Sequence, residues 1–524
     1  MEKPSLEIGN SNWAIKEGEL LGYNRVGNDY LPVPITMTRA SAGTRVNPEG
    51  LVEDVELLGS EEITDGNFPL PNTAWVLSPT FTIADNKLHC VSDGSYQYAN
   101  QSAMVVGKTY RITFDITGWV SGNIRVRPSG QSPFQTAGSN GSYIFYYTAI
   151  SNSVLTIERN GTPTDLYIEN ISVKEATIEN LARVDYDGTA SSLLVEPMRT
   201  NLLTYSEDFT QWDKNSGTTI TLDSLISPDG TQNADLIVAS GSGSRVGDNV
   251  SIVSGNTYTL SVYLKNNGGN TSITIGSYTT TQLETITIND EWNRYTTTFV
   301  ASSTTTSSIR IISSGSNINL YAWGAQLEES YATSYIPTSG STVTRNQDVF
   351  TRDGIGSLIN STEGVLFVEM AALSDDGTNR SITLSDGSTN NIIQILFSSV
   401  SNTIRFIIRV GGVGGDNLDK STSTYTVTDF NKVALKWKQN DAQVWINGTQ
   451  LGSPDTNSDV PTGLNDLSFE YLTVGNNFVG KVKQLQVYNT ALTDEQLLQL
   501  TGTSGTDFYE SYAEMASALT YTIQ

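Results

Sequence analysis

Apolar and polar residues alternate along this chain in short runs, and the runs are separated by clusters of Gly, Asn, Asp, Ser and Thr. Period-two runs bury one face of a strand and leave the other for solvent or a second sheet. Tyr258, Leu260, Val262 and Leu264 alternate with Thr259, Ser261 and Tyr263 behind a Gly255-Asn256 turn. Asn431-Lys432-Val433-Ala434-Leu435-Lys436-Trp437 alternates in the same way, and Ala442 to Leu451 reads as a hairpin turning at Asn447-Gly448. Helical periodicity is almost absent. The exception is a short turn of helix after Leu492, with Thr493 as its N-cap and Gln496 at the capping-box position. The pattern predicts an all-β chain of serial sandwiches.

At 524 residues the chain exceeds what one core can bury, so several domains are expected. Internal repeats decide how many. One segment opens with Asn67-Phe68-Pro69 and Trp75, continues through Val105-Val106-Gly107-Lys108-Thr109-Tyr110, and closes with Leu166-Tyr167-Ile168-Glu169-Asn170-Ile171. A second opens with Asp208-Phe209 and Trp212, continues through Val253-Ser254-Gly255-Asn256-Thr257-Tyr258, and closes with Leu320-Tyr321-Ala322-Trp323-Gly324-Ala325. The landmarks come in the same order. A third module spans about Glu363 to Gly502, with strands at 364–370, 403–410, 431–437, 472–475 and 480–488.

Charge narrows the function. The formal charge is −25, which argues against nucleic acid, since nothing here would replace the counterions around phosphates. The N-terminus carries no apolar core of signal-peptide length and no stretch is long enough to span a membrane, so synthesis in a cytoplasm without membrane insertion is expected. Cys90 is the only cysteine and His89 the only histidine. Being adjacent in a strand they face opposite ways, so no Cys-His nucleophile forms, and Cys90 is expected in the core. No catalytic residue is assigned. Paired carboxylates remain countable everywhere, so a glycan depolymerase stays open as an alternative.

Two resemblances extend this reading. Each repeat resembles the jelly-roll carbohydrate-binding modules found beside glycanases, and residues 361–503, including the closing "LTDEQL", resemble the concanavalin A-like, laminin-G-type lectin sandwich. The connectors "TRASAGTRVNPEGLVED" (38–54), "RVDYDGTASSLLVEPMRTNLLTYSEDF" (183–209) and "GAQLEESYATSYIPTSGSTVTRNQD" (324–348) resemble, in order and spacing, a family of phage tail and appendage proteins. The resemblance implies a virion-attachment segment and linker at 1–60, jelly rolls at 61–178 and 206–332, linkers at 179–205 and 333–360, the lectin sandwich at 361–503, and a tail at 504–524. It implies a tail fibre or a capsid or tail appendage, acting outside the host cell and adhering to host surface polysaccharide, bundled as a homotrimer and held to other virion proteins through its N-terminus. A purely architectural virion role without glycan binding is the rival.

For sugar stacking the aromatic candidates are Tyr96, Tyr98, Trp119, Tyr143, Tyr146 and Tyr147 in the first jelly roll, Tyr278 and Trp323 in the second, and Trp445 in the lectin sandwich. Trp13, Leu20, Leu21, Tyr23 and Tyr30 are the candidate virion anchors, unless that segment packs as a strand pair on the chain's own next domain. Structural calcium, with oxygen ligands from Asp375, Asp376, Asp386 and Asp416, is the one cofactor the resemblance suggests. The tail from Phe508 to Tyr521 either packs back on the sandwich or meets copies of itself.

Overall fold

The computed structural model describes residues 2–502 apart from 11–12, 28, 133, 242, 280–281, 314–316, 413–416 and 472–475. The expected tail at 504–524, the strand at 472–475 and Asp416 lie outside the described residues. Among the described residues, regular structure is strand except for a 3-10 turn, Phe209–Gln211, and one α-helix, Asp494–Thr501. The chain is all-β, as its alternation predicts. Thr493 caps the helix in a capping box with Gln496. Among the described residues no helix is long and apolar enough to cross a membrane.

The two repeats fold alike down to strand order. In the first, one sheet runs Gly141–Thr148, Thr109–Ser121, Thr164–Thr177, Lys87–Ser92, Thr82–Ala84, and the facing sheet runs Thr136–Ala137, Ile124–Pro128, Val154–Arg159, Tyr98–Ser102, Val76–Leu77. In the second, the sheets run Asn293–Val300, Thr257–Asn266, Asn317–Glu329, Ala234–Ser240, Thr218–Leu225, and Gln282–Thr287, Ser272–Ser277, Thr305–Ser313, Arg245–Ile252, Asp213–Lys214. The sequence landmarks perform the same tasks in both. The Val105 amide donates to the Tyr110 hydroxyl at 2.8 Å, and the Val253 amide to the Tyr258 hydroxyl at 3.0 Å. Between donor and acceptor lie Gly107 and Gly255, both at positive φ, where a side chain would strain the turn. The opening tryptophans also match: Trp75 Nε1 donates to the Asp65 carbonyl and Trp212 Nε1 to that of Tyr205.

The terminal sandwich draws on three separated stretches of chain. Its strand Gly480–Tyr488 pairs on one side with Glu363–Ala372, and on the other with Leu6–Gly9 and Ala190–Val195, in registers Leu6↔Val487 and Leu193↔Val482. Leu6–Gly9 touches Glu19–Val26, which pairs with Asp29–Thr38, and the end of that strand crosses to the opposite sheet through Thr38↔Val349. Leu6, Ile8, Trp13, Leu20, Val184 and Leu193 share one core with Leu366, Phe406, Trp437 and Val487.

The first sixty residues are therefore not a separate attachment arm. Trp13, Leu20, Leu21 and Tyr23 are at most 3% exposed, and Tyr30 packs beside them. They fill the chain's own core because the sheet edge at 484–487 needs a partner and residues 6–9 supply it. The strand-pair alternative named the wrong neighbour too, since the partner is the last domain rather than the next. Residues 183–195, expected as linker, form a hairpin on the same edge. Topologically, each jelly roll is an insertion between strands of one hub.

A buried ion cluster sits where the chain leaves and re-enters this hub. Arg39, Arg183, Glu196, Arg345 and Asp348 are each at most 2% exposed. Arg39 Nη1 meets Asp348 Oδ1 at 2.9 Å, Arg183 bridges Asp348 and Glu196 (2.6 Å to the latter), and Arg345 meets Glu196 at 2.9 Å. Burial pushes the Glu196 carboxyl up, but Arg345 and Arg183 outweigh it and hold it well below the usual range. Burial, with Arg183 alongside, lowers Arg39 to about 10.

Two outcomes are expected. A chain starting at residue 39 exposes the 484–487 edge and loses the cooperative melting of the terminal sandwich, where a detachable arm would leave the melt unchanged. Asp348→Asn strips the counter-charge from two buried guanidinium groups and costs about 3–5 kcal/mol in chemical denaturation.

Candidate functional site

In the first jelly roll, Ala99, Ile124, Val126, Leu155 and Ile157 point into the core. The period of two then turns Tyr98, Asn100, Arg125, Arg127, Thr156 and Glu158 outward. Register aligns Tyr98, Glu158 and Arg125 in one cross-strand row and Asn100, Thr156 and Arg127 in the next. Arg127 Nε donates to Glu158 Oε1 at 2.9 Å, and Arg125 Nε donates to Asn160 Oδ1 at 2.7 Å. Phe134 lies over both guanidinium groups, 4.0 Å from Arg125 and 4.9 Å from Arg127. Tyr96 stands beside Tyr98, ring centres 5.6 Å apart, and is exposed. Burial and the neighbouring Glu158 push the Tyr96 hydroxyl up to about 12, which keeps it a neutral donor. Thr156 Oγ1 and Asn100 Oδ1 are buried in this face without a hydrogen-bond partner.

The corresponding sheet of the second jelly roll presents a sparser face. Ile273, Ile275, Ile309 and Ile311 are core, so Arg310 points outward. It is opposed by Gly247 on one neighbouring strand and Gly276 on the other. A Cβ at Gly247 would come within 2.7 Å of Arg310 Cγ. Tyr278, half exposed, stacks over the guanidinium at 3.7 Å. Both repeats therefore place an exposed ring on an arginine of the equivalent sheet.

Of the residues singled out by sequence, Tyr96 and Tyr98 come together on the first face and Tyr278 stands on the second. Trp119 is exposed, but at the far end of Thr109–Ser121 in the other sheet, its Nε1 donating to the Gly122 carbonyl at 2.8 Å. Tyr146 is half-buried against Glu56 at 2.9 Å, while Tyr143 and Tyr147 pack in the aromatic core and are held by Ser139 and the Gln135 amide. Trp323 and Trp445 are not platforms. Trp323 is 1% exposed and packs 4.6 Å from Tyr335, because the neck at 44–54 covers that end of the sheet. Trp445 is covered by the closing helix, sharing a core with Leu492 and Leu497. Sequence reasoning missed Arg125, Arg127, Phe134 and Arg310. The available signal was an arginine in phase opposite core aliphatics, as in Ile124-Arg125-Val126-Arg127 and Ile309-Arg310-Ile311.

Cys90 lies in the core and burial pushes its thiol well up, while His89 faces outward, 2.9 Å from Asp165 and stacked on Tyr167. Of the described calcium candidates, Asp375 accepts from the Asn402 amide, Asp376 pairs with Arg380, and Asp386 caps its own turn at Ser388. Among the described residues no group of three His, Cys, Asp or Glu is placed to hold a metal.

Carboxylates gather instead where the neck meets both jelly rolls. Tyr335 donates to Glu207 at 2.7 Å, Asn233 to Glu207 and Asp229, and Ser139 of the first jelly roll to Asp223 of the second. Arg111, paired to Glu56 at 2.8 Å, is the cation alongside. Burial, reinforced by neighbouring carboxylates, raises Asp54 and Glu207 to about 7 and Asp223 to about 6; burial raises Asp235 to about 8 against two backbone amides.

Residues 367–498 match the family model of the concanavalin A-like lectin/glucanases superfamily. No curated protein matches the chain. Among solved structures, the Ruminococcus gnavus IT-sialidase CBM40 is 16% identical with a TM-score of 0.25, covering 28% of this chain and 87% of its own. Domain 4 of AbnA, a GH43 extracellular arabinanase from Geobacillus stearothermophilus, is 17% identical with a TM-score of 0.25, covering 33% and 82%. The CBM22-1-CBM22-2 tandem of Paenibacillus barcinonensis Xyn10C is 12% identical with a TM-score of 0.18, covering 56% and 100%. The lectin-like match lies wholly within the hub, and neither arginine face belongs to it.

The carboxylate cluster sets a pH dependence. Unfolded carboxyls titrate near about 4, so groups raised in the fold contribute stability that is complete below that pH and lost as pH rises through about 6–8. Glu196, held low, contributes the opposite way and matters only in strong acid. Thermal melting is therefore expected to be higher at about pH 5.5 than at about pH 8.5, and Glu207→Gln flattens the slope between them.

Proposed function

We propose that this chain is a non-enzymatic structural protein of a bacteriophage particle that displays glycan-binding modules toward host surface polysaccharide. The observation that carries the reading is the pair of exposed rings stacked on arginine, Phe134 over Arg125 and Arg127 and Tyr278 over Arg310, on equivalent sheets of the two repeats. An aromatic face stacks on pyranose C–H groups, and guanidinium, amide and hydroxyl groups beside it fix the orientation of the sugar hydroxyls. Glu158, bridged to Arg127, suits an acceptor for such hydroxyls better than a proton donor in hydrolysis.

The virion setting is supported by the connector phrases. They are the stretches that supply Arg39, Arg183, Glu196, Arg345 and Asp348, so a family sharing those phrases shares the residues of the joint. Contact with other virion proteins runs through surfaces other than Trp13 and its neighbours, which are in the core. Copies bundled as a trimer raise weak single-site contacts into firm adhesion through effective concentration. The rooting of both jelly rolls in one hub also suits a purely architectural role, which is the second reading.

The deciding experiment exposes the full chain to an array of host surface polysaccharides beside the double variant Phe134→Ala/Tyr278→Ala. Binding by the wild type with loss of at least about tenfold in the variant, a change of ~1.4 kcal/mol, supports adhesion. Absence of any binding, with the protein present in purified particles, leaves architecture.

A further inference from the structure

The two faces differ in how their arginines are satisfied. On the first, Arg127 is neutralised by Glu158 and Arg125 is held by Asn160, with Glu158 at 3.5 Å. On the second, Arg310 spends its Nε on Ser308 Oγ at 2.8 Å, and among the described residues neither Arg310 nor Arg245 ion-pairs with a carboxylate. Arg245 and Arg310 are diagonal neighbours on adjacent strands, facing the same way, which puts their Cα atoms on the order of 7–8 Å apart. Burial and the like charge of Arg245 both lower Arg310. Asp213 lies across Gly247 in the same cross-strand row and raises Arg310 in part, while its Oδ2 accepts from Asn249 at 2.9 Å.

Arg245 and Arg310, on adjacent strands of one face and without an ion pair to a carboxylate among the described residues, make a local cationic patch on a chain whose net charge is −25. Such a chain repels polyanions at long range, so a local cationic face is selective rather than sticky. The absence of a side chain at Gly247 lets Arg310 lie across it, since a Cβ there would come within 2.7 Å of Arg310 Cγ, and Tyr278 lies over the guanidinium at 3.7 Å. A planar fork of donors matches a carboxylate in two-point contact.

We propose that the second jelly roll binds a carboxylate-bearing sugar, with Arg310 and Arg245 gripping the carboxylate and Tyr278 stacking on the ring that carries it, while the first jelly roll takes neutral units. This rests on the glycan-binding reading and names the ligand class of one of its faces.

The test titrates the full chain with oligogalacturonate, hyaluronan oligosaccharides and oligosialic acid, each beside its methyl-esterified, neutral counterpart, and with inorganic sulfate alone. Expected is binding of at least one acidic oligosaccharide at least tenfold more tightly than its ester, weakened by salt, lost in Arg310→Gln, and partly restored in Arg310→Lys, which keeps charge without the fork. Unchanged melting of the Arg310 variants separates lost binding from lost folding. Equal affinity for acid and ester, an undiminished preference in Arg310→Gln, or sulfate binding as tightly as the oligosaccharide overturns the acidic-sugar assignment while leaving glycan binding intact. Failure to bind either acidic or neutral sugars removes both.

Discussion

Five charged side chains with almost no access to water hold the chain's crossings together. The first jelly roll leaves the hub after Arg39 and returns at Arg183; the second leaves after Glu196 and returns at Arg345 and Asp348. Any one of these ions alone in that interior would be prohibitively costly, since desolvation of an unpaired charge amounts to several kcal/mol. Together they are tolerable only when all four crossings are in place. Three guanidinium groups face two carboxylates, and Arg39 Nη2, Arg183 Nε and Arg345 Nε lack partners. The cluster therefore serves specificity of arrangement more than net stability.

That joint determines how the two ring-on-arginine faces are presented. Because each jelly roll is rooted at both ends in the hub, neither hangs from a single flexible tether. The neck adds further contacts: Val52 bonds to the Pro228 carbonyl, Thr44 to that of Tyr335, and the raised carboxylates Asp54 and Glu207 lie between. On the proposed glycan-binding reading, two ring-on-arginine faces rooted in one hub engage a single polymer together only when its spacing fits. Divergence between the faces, paired arginines on one and unpaired on the other, gives the repeat more than redundancy.

Much of the local structure was legible in the residues. The phase of Tyr258, Leu260, Val262 and Leu264, the turn glycines at 107 and 255, the Asn447-Gly448 hairpin and the Thr493 cap all describe contacts within one strand pair or one helical turn. The placement of Cys90 inside and His89 outside followed from alternation. The platforms were only half legible. Tyr96, Tyr98 and Tyr278 stand on exposed faces, but Trp323 and Trp445 have the same composition and phase and are covered by a neck and a helix from elsewhere in the chain. Arg125, Arg127 and Arg310 escaped notice because an isolated arginine in a strand looks like an ordinary solvated side chain until its cross-strand neighbours are known.

By itself the sequence determined an all-β chain, two copies of one jelly-roll plan and a lectin-type sandwich, since alternation, turn chemistry and repeats are set by residues near one another. Only the tertiary structure decided that residues 6–38 and 183–195 belong to the last domain, and that the connectors meet in a buried ion cluster. Pairing Leu6 with Val487, or Arg39 with Asp348, depends on which edge is left open and which charge is left unpaired after everything between them has folded. A strand pattern specifies that an edge needs a partner; which strand fills it is a property of the assembled whole.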